Sequence, residues 1–247
     1  MKDIHNHLLY GIVDGSKSLD ESIKLLKGLK KEGITEIVFT PHYIIGSSYN
    51  TNVKKNKALL STLVKKTDIK LYLGNEVALD NDVLSYIEKG EIGTINNSRY
   101  LLVEFPINEK LDVGKVLIGN LIRYGVIPVI AHPERYHYYR LKDFEEFIKE
   151  GCLLQGNITS LIDKYGVKSR KNLELLLKKD MIHVLGTDTH RTLFDMGKCE
   201  EYLDKVVTKE RKEELLNTNF DKIVKDKDIE IYNIKNLKGL ERFKNIK

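Results

Sequence analysis

Apolar and polar positions along the chain alternate between two kinds of segment. Short runs rich in β-branched residues are separated by longer charged segments in which apolar residues recur every three or four positions. The short runs predict strands at KDIH near the start and at residues 36–40, 69–74, 99–105, 125–132, 151–157 and 181–188. The longer segments predict amphipathic helices at residues 19–31, 53–66, 113–124, 141–149, 167–179 and 196–207.

The alternation of nearly all-apolar strands with helices predicts an α/β fold with a parallel sheet buried on both faces. Seven predicted strands favour closure into a distorted β/α barrel, and an open doubly wound sheet is the alternative. The chain lacks a linker-like composition shift, so a single domain over residues 1–247 is the simpler interpretation. The Lys/Glu-rich tail after Lys205 predicts terminal helices and a last apolar segment at residues 229–234.

Composition narrows the class of protein. Hydrophobic residues make up 41% and charged residues 31%, which is typical of a folded globular protein. The net charge of +5 lacks the dense basic excess of a nucleic-acid binder and supports only mild attraction to anionic partners. Polar histidines stand where a signal peptide needs apolar residues, and no apolar run reaches membrane-spanning length. Together with the unpaired Cys152 and Cys199, these features predict a cytoplasmic protein without stable membrane insertion.

Polar residues able to bind metal recur at the C-terminal ends of the predicted strands. His5 and His7 follow the first strand, and their spacing of two directs both imidazoles to one side of an extended segment. Further candidates at strand ends are His42, Glu76, Glu104, His132, Asp188 and His190. Because this edge of a parallel α/β sheet carries the active site, we expect these side chains to meet.

Each of these residues alone is more simply explained as an ordinary polar side chain, but together they indicate a metal site. Glu104 follows LLV beside Phe105, where an isolated carboxylate loses hydration unless a cation lies near. Nitrogen and oxygen ligands without thiolate are typical of a catalytic site and are compatible with Mn²⁺, Fe²⁺ or Zn²⁺. A carboxylate shared between two ions suits the hydrolysis of a phosphate ester.

Two arginines are candidates for binding phosphate oxygens. Arg135 lies in the loop after the fifth predicted strand, where its guanidinium can form a bidentate fork. Arg191, near the last strand, is a second candidate and is equally consistent with a surface arginine. His137 and His183 are predicted to be structural. The tyrosines beside Arg135 either contact a substrate ring or pack locally: Tyr136, Tyr138 and Tyr139.

The motifs DIHNH, TPH, GNE, AHPERY and TDTH occur in the order that resembles the polymerase and histidinol phosphatase (PHP) superfamily. HNHLLYGIVDGSKS, LVEFP and AHPERY look like segments of the bacterial manganese-dependent protein-tyrosine phosphatases of capsular and extracellular polysaccharide operons. The likeness runs from Asp3 to about His190. It implies a PHP-type, distorted seven-stranded β/α barrel that holds three divalent ions, with Mn²⁺ as the expected metal.

The resemblance also divides nine side chains among these ions. The first would take His5, His7, Glu76 and Asp188, the second Glu76 again with Glu104 and His132, and the third Asp14, His42 and His190. The assignment of Asp14 rests on the resemblance alone, because GIVDGS also reads as a turn. Val13 stands where the family usually has a first aspartate, and RTLFDMGKC departs from the family's run, so Arg191 is not a matched position.

The implied activity is hydrolysis of phosphotyrosine by a metal-bridging hydroxide, with Arg135 neutralising phosphate oxygens. The implied partner is the phosphotyrosine-containing tail of a membrane-associated bacterial tyrosine kinase that regulates capsule or exopolysaccharide synthesis. A cysteine-based tyrosine phosphatase needs an arginine six positions after its nucleophile. Ile158 and Lys205 occupy those positions after Cys152 and Cys199, so this mechanism is excluded. The alternatives are a small-molecule phosphatase, such as histidinol-phosphate phosphatase, and a non-catalytic PHP metal-binding module.

Overall fold

Parallel strands and helices alternate along the computed structural model, which describes residues 1–230. The strands are β1 (Lys2–Asn6), β2 (Glu36–Phe39), β3 (His42–Tyr43), β4 (Lys70–Leu73), β5 (Glu76–Ala78), β6 (Tyr100–Glu104), β7 (Ile127–Ala131), β8 (Leu153–Asn157) and β9 (Val184–Gly186). The helices are α1 (Leu19–Lys31), α2 (Val53–Val64), α3 (Val83–Glu88), α4 (Gly114–Arg123), α5 (Leu141–Lys149), α6 (Gly166–Lys178), α7 (Met196–Asp204), α8 (Lys209–Glu213) and α9 (Asn219–Val224).

The strands form two parallel sheets, ordered β1-β2-β4 and β3-β5-β6-β7-β8-β9. The sheets are joined where the chain bends between β2 and β3 at Pro41 and between β4 and β5 at Gly74. Asn75 holds the two bends together, because its side-chain amide donates to the Pro41 carbonyl over 3.0 Å. Nine short strands therefore occupy the described chain where the hydrophobic pattern predicts seven.

The first and last strands lie side by side, which closes the strand order. The His7 amide donates to the Thr189 carbonyl and the Asp188 amide to the His5 carbonyl, each over 2.9 Å. The predicted parallel β/α barrel is thus confirmed, and the open doubly wound sheet is wrong for the described residues.

Apolar side chains fill both faces of the strands. On β6, Leu102 belongs to the inner core with Ile4, Val38 and Val129, whereas the flanking Leu101 belongs to the outer core beneath the helices. This alternation follows from the two-residue period of a strand. Burial on both faces explains why the strands read as continuous apolar runs.

The helices after residue 205 cover the end of the barrel where the strands begin. Lys2, at the start of β1, donates to the Asp221 carboxylate of α9 over 2.6 Å. The Tyr100 hydroxyl, at the start of β6, donates to the Lys227 carbonyl over 2.8 Å. The predicted terminal helices are confirmed as α8 and α9, while residues 231–234 of the predicted last apolar segment lie outside the described residues. Within residues 1–230, no helix has the length and apolar character needed to span a membrane.

Candidate metal centre

Glu76 lies at the centre of the histidine and carboxylate cluster predicted at the strand ends. Its Oε1 is 2.9 Å from His132 Nε2. Its Oε2 is 3.0 Å from His5 Nε2, 3.2 Å from His7 Nε2 and 3.1 Å from His42 Nδ1. The carboxylate is buried, and the elements that surround it are the C-terminal part of β1, the start of β3 and the loop after β7. One acidic group is therefore enclosed by four imidazoles.

The predicted ligand residues group around this carboxylate. Three sets of them bring ligand atoms within 4.8 Å of one another: His7, Asp14, His42 and His190; His5, His7 and Glu76; and His42, Glu76 and Glu104. His132 joins through Glu76, and the Asp188 Oδ1 lies 3.7 Å from His5 Nε2 and 3.4 Å from His7 Nε2. All nine predicted ligand residues thus lie together, although their role as ligands remains a prediction.

The pairing of these atoms fits a cation better than a hydrogen-bond network. His5 Nε2 faces His7 Nε2 at 2.9 Å, where only one of the two nitrogens can carry a proton. His42 Nδ1 and Glu76 Oε2 are buried and form no hydrogen bond within residues 1–230. Buried polar atoms are normally satisfied, and a divalent cation satisfies lone pairs that converge in this way. The nitrogen and oxygen donors suit Mn²⁺, Fe²⁺ or Zn²⁺.

A second layer of polar side chains orients the imidazoles. His5 Nδ1 lies 2.7 Å from Gln155 Oε1, and His7 Nδ1 lies 2.7 Å from Asp14 Oδ2. Both oxygens accept, so the Nδ1 atoms carry the protons and the Nε2 lone pairs face the cluster. Asp14 therefore contacts a candidate ligand directly as well as lying in the group with His42 and His190.

The electrostatics of the cluster favour positive charge. Burial lowers the pKa of His5, but the Glu76 and Asp188 carboxylates outweigh it and raise the pKa to about 9. The pKa of His7 is likewise about 9, because Asp14 and Glu76 overcome its burial. Burial also raises the pKa of Glu76, yet His5 and His42 hold it well below its ordinary value. The carboxylates that raise these histidine pKa values would also attract a divalent cation, which displaces the Nε2 protons when it binds.

Arg135 lies beside the cluster, as the sequence predicts. Its Nη1 is 3.3 Å from Asp188 Oδ2, and its guanidinium carbon lies 4.3 Å above the Tyr165 ring. Glu134 fixes the loop from within, because its buried carboxylate accepts from the Asn157 amide over 3.1 Å and the Ser160 hydroxyl over 2.8 Å. The guanidinium is thus held at the cluster edge with a quarter of its side chain, 24%, exposed.

Arg191 makes a different contact. Its Nε and Nη2 donate to the Gly15 carbonyl over 2.8 and 2.6 Å. The guanidinium therefore binds the backbone of the loop that carries Asp14. Its predicted role toward phosphate remains a prediction.

Several side chains around Asp188 were not predicted. Its Oδ2 accepts from the Tyr165 hydroxyl over 2.7 Å and from Asn157 Nδ2 over 2.9 Å, and its carbonyl accepts from Lys164 Nζ over 2.9 Å. The sequence could have indicated Gln155 and Asn157 as site residues, because they are polar residues two apart in an otherwise apolar strand. No sequence pattern indicates Lys164 or Tyr165.

Three of the remaining predicted residues are structural. The Tyr136 hydroxyl accepts from the Phe105 amide over 3.0 Å, and both Tyr136 and Tyr139 are buried, which confirms local packing for these two. His183 Nδ1 accepts from the Leu154 amide over 3.0 Å, which confirms the predicted structural role of this histidine beside β8. His137 is exposed and lies outside the three ligand groups.

The chain is similar to proteins of known family. Residues 1–225 match the family model described as capsular polysaccharide synthesis, CpsB/CapC. The CapC protein of Staphylococcus aureus is 34% identical over 89% of this chain and 92% of its own length. The tyrosine-protein phosphatase CpsB of Streptococcus pneumoniae is 32% identical over 77% of this chain and 83% of its own length.

Solved structures agree with these sequence matches. YwqE of Bacillus subtilis and CpsB of S. pneumoniae are metal-dependent tyrosine phosphatases with known crystal structures. One of these structures aligns with this chain with a TM-score of 0.83 and 25% sequence identity. It covers 93% of this chain and 96% of its own. The phosphotriesterase homology protein of Escherichia coli aligns with a TM-score of 0.60 at 10% identity over 90% of this chain and 98% of its own, which supports the fold alone. The chain therefore belongs to the CpsB/CapC family of capsular polysaccharide synthesis proteins.

Proposed function

We propose that the protein is a metal-dependent protein-tyrosine phosphatase. The observation that carries this proposal is the enclosure of Glu76 by four imidazoles, with ligand atoms that lack hydrogen-bond partners among the described residues. Relatives that include metal-dependent tyrosine phosphatases support the same reaction. A phosphoric monoester is among the slowest substrates to hydrolyse unaided, so a centre of concentrated charge suits the task.

The nine clustered residues would hold the metal, which we propose to be Mn²⁺ at three positions, with Fe²⁺ or Zn²⁺ as possible substitutes. When bound, divalent ions act as Lewis acids toward phosphoryl oxygens and lower the pKa of water to near neutrality. Glu76 is the residue best placed to be shared between two ions, because its two oxygens face different histidines.

The chain's own residues orient the substrate. Arg135 would bind two oxygens of the phosphate with its guanidinium fork, since that group is partly exposed at the cluster edge. Asp188 and Tyr165 fix the fork by an ion pair and by ring stacking. Gln155 and Asp14 keep the histidine Nε2 atoms unprotonated toward the cluster. The tyrosinate leaves with its negative charge balanced in this cationic environment.

The proposed substrate is phosphotyrosine in the tail of a membrane-associated bacterial tyrosine kinase that regulates capsule or exopolysaccharide synthesis. Membership of a capsular polysaccharide synthesis family supports this partner. The net charge of +5 is compatible with an acidic tail. Such a phosphatase would act in the cytoplasm, without nucleic acid and without insertion into the membrane.

The test is hydrolysis of a phosphotyrosine peptide by metal-stripped protein with and without Mn²⁺, Fe²⁺ or Zn²⁺. We expect metal-dependent phosphate release that is lost in His42→Ala, which removes an imidazole 3.1 Å from both Glu76 and Glu104. Tyr124→Ala is the control, because it removes an exposed ring that lies outside the ligand groups.

Two results would contradict the proposal. Turnover of histidinol phosphate without turnover of the peptide would identify a small-molecule phosphatase. Metal-dependent thermal stabilisation without hydrolysis of either substrate would identify a non-catalytic metal-binding module.

A further inference from the structure

The loop that carries Arg135 also borders a cleft on the outer face of the barrel. The cleft lies between α5 and α6 and encloses about 740 Å³, a volume within the range of about 300–1,000 Å³ usual for ligand sites. Its floor is apolar and includes Leu141, Phe144 and Leu176. Pro133 and Tyr136, on either side of Arg135 in the chain, form part of its wall. The cleft thus shares one loop with the candidate active site.

The charged side chains at this cleft are all basic. Arg140, Lys168 and Lys171 line it, and no carboxylate of the described residues does. Arg140 is partly balanced by Asp143 at 3.6 Å. Lys168 and Lys171 are exposed, and neither forms an ion pair within residues 1–230. The cleft therefore presents two uncompensated positive charges above an apolar floor.

The positive charge near the cleft contributes to a lowered pKa of a neighbouring histidine, His137. Burial, Lys168 and Arg135 together lower the pKa of His137, which lines the same cleft. A lowered histidine pKa beside cations is the expected response to positive potential.

Two contacts connect helix α6, which lines the cleft, with the loop that carries Arg135. Asn172 of α6 donates to the Glu134 carbonyl over 3.0 Å, one residue before Arg135. Tyr165, which immediately precedes α6, lies beneath the Arg135 guanidinium. A polypeptide whose phosphotyrosine reaches Arg135 can therefore continue along the same loop into the cleft.

We propose that this cleft binds the acidic polypeptide that flanks the phosphotyrosine of the substrate protein. Lys168 and Lys171 pair with its carboxylates, and the floor formed by Phe144 and its neighbours takes one apolar side chain. Charge complementarity selects this occupant over a neutral or basic peptide. The inference rests on the proposed tyrosine-phosphatase function and adds a determinant of substrate choice remote from the metal cluster.

The test compares free phosphotyrosine with two phosphopeptides that differ only in acidic or neutral flanking residues. The variant is Lys168→Glu/Lys171→Glu. The control is Lys24→Glu/Lys27→Glu on α1, which makes the same change of net charge at the same spacing on exposed lysines. We expect the first pair to lower kcat/KM for the acidic peptide about tenfold through KM, because two attractions become repulsions. Free phosphotyrosine should be hydrolysed at the wild-type rate by both variants.

An equal loss of kcat/KM for the acidic peptide in both double variants would overturn the proposal. The loss would then come from the reduced net charge of the whole protein and not from the cleft. An unchanged KM for the acidic peptide in Lys168→Glu/Lys171→Glu would overturn it as well. A wild-type dimer in sedimentation that this variant dissociates would assign the cleft to a second copy of the chain.

Binding of the unphosphorylated acidic peptide, followed by fluorescence anisotropy, separates this inference from the proposed function. If the wild-type protein hydrolyses no phosphotyrosine but binds the acidic peptide, and only Lys168→Glu/Lys171→Glu loses that binding, the cleft is supported and the phosphatase is not. Equal binding by wild type and this variant overturns the cleft whatever the activity.

Discussion

Replacing Arg135 by alanine tests whether its guanidinium binds the phosphate or only supports the cluster. In the structure the guanidinium pairs with Asp188 at 3.3 Å and stacks on Tyr165 at 4.3 Å. Asp188 keeps three other donors when Arg135 is removed, from Tyr165, Asn157 and Lys164. We therefore expect Asp188 to stay in place and the bound metal to be retained.

The expected loss of activity follows from the charge that Arg135 adds in a partly buried position. Removing one preorganised donor from the developing charge of a transition state costs about 2.7–4 kcal/mol, or about 10²–10³-fold in kcat. Arg135→Lys keeps the charge but loses the bidentate fork and most of the stacking on Tyr165, so we expect an intermediate loss of about tenfold. The order wild type, lysine, alanine is thus part of the prediction.

The assay is kcat and KM on a phosphotyrosine peptide with the metal content of each sample measured. Inhibition by inorganic phosphate supplies a second readout, and we expect it to weaken in Arg135→Ala. Arg99→Ala is a suitable control, since Arg99 binds Asp226 and Asp228 beside the strand-start end of the barrel. Arg135→Ala with nearly wild-type turnover at full metal content would refute the reasoning, as would activity lost only in proportion to lost metal.

Three further predictions concern metal, pH and thiols. Adding Mn²⁺ to metal-stripped protein should raise the Tm measured by calorimetry, because an ion that binds the folded state stabilises it. Glu76→Gln should abolish this rise. Burial, with Arg211 nearby, lowers the pKa of His183 to about 3 from 6.5, so its neutral form stabilises the fold above pH 6.5 and this stability is lost as pH falls toward 3. His183→Asn, which keeps an acceptor for Leu154, should therefore be less stable than wild type in urea at about pH 8 but recover about 2 kcal/mol of that difference by about pH 5. Iodoacetamide should leave the native activity unchanged, because Cys152 and Cys199 are buried and burial raises the pKa of both thiols; rapid inactivation would contradict this.

The sequence predicts the barrel because strands buried on both faces leave an unmistakable apolar pattern. Each predicted strand overlaps an observed one. The strands β3 and β5 escape prediction because they have only two and three residues and follow a bend, so they show no period. Helix α3 has six residues, too few to establish a helical repeat.

The candidate site is predictable where a side chain belongs to a strand end. His5, His42 and Glu76 meet because they lie at or shortly after the C-terminal ends of β1, β2 and β4, which parallel strands bring to one edge. Tyr165 reaches Asp188 from the residue before α6, and no local pattern marks such a contact. The Arg191 contact with the Gly15 carbonyl is equally invisible, because it joins two loops that are far apart in the chain.

The two bends that the hydrophobic pattern misses are what position the central carboxylate. His42 and Glu76 are the first residues of β3 and β5, and they are paired in register across the second sheet. At Gly74 the chain packs closely against Ile95, because a Cβ there would lie 3.2 Å from the Ile95 Cα. An unbroken strand would carry the residues after position 74 along the first sheet instead of bringing Glu76 beside β6. The two short strands β3 and β5 therefore add His42 and Glu76 to the candidate ligands that follow the longer strands, although the apolar period of the chain does not reveal β3 or β5.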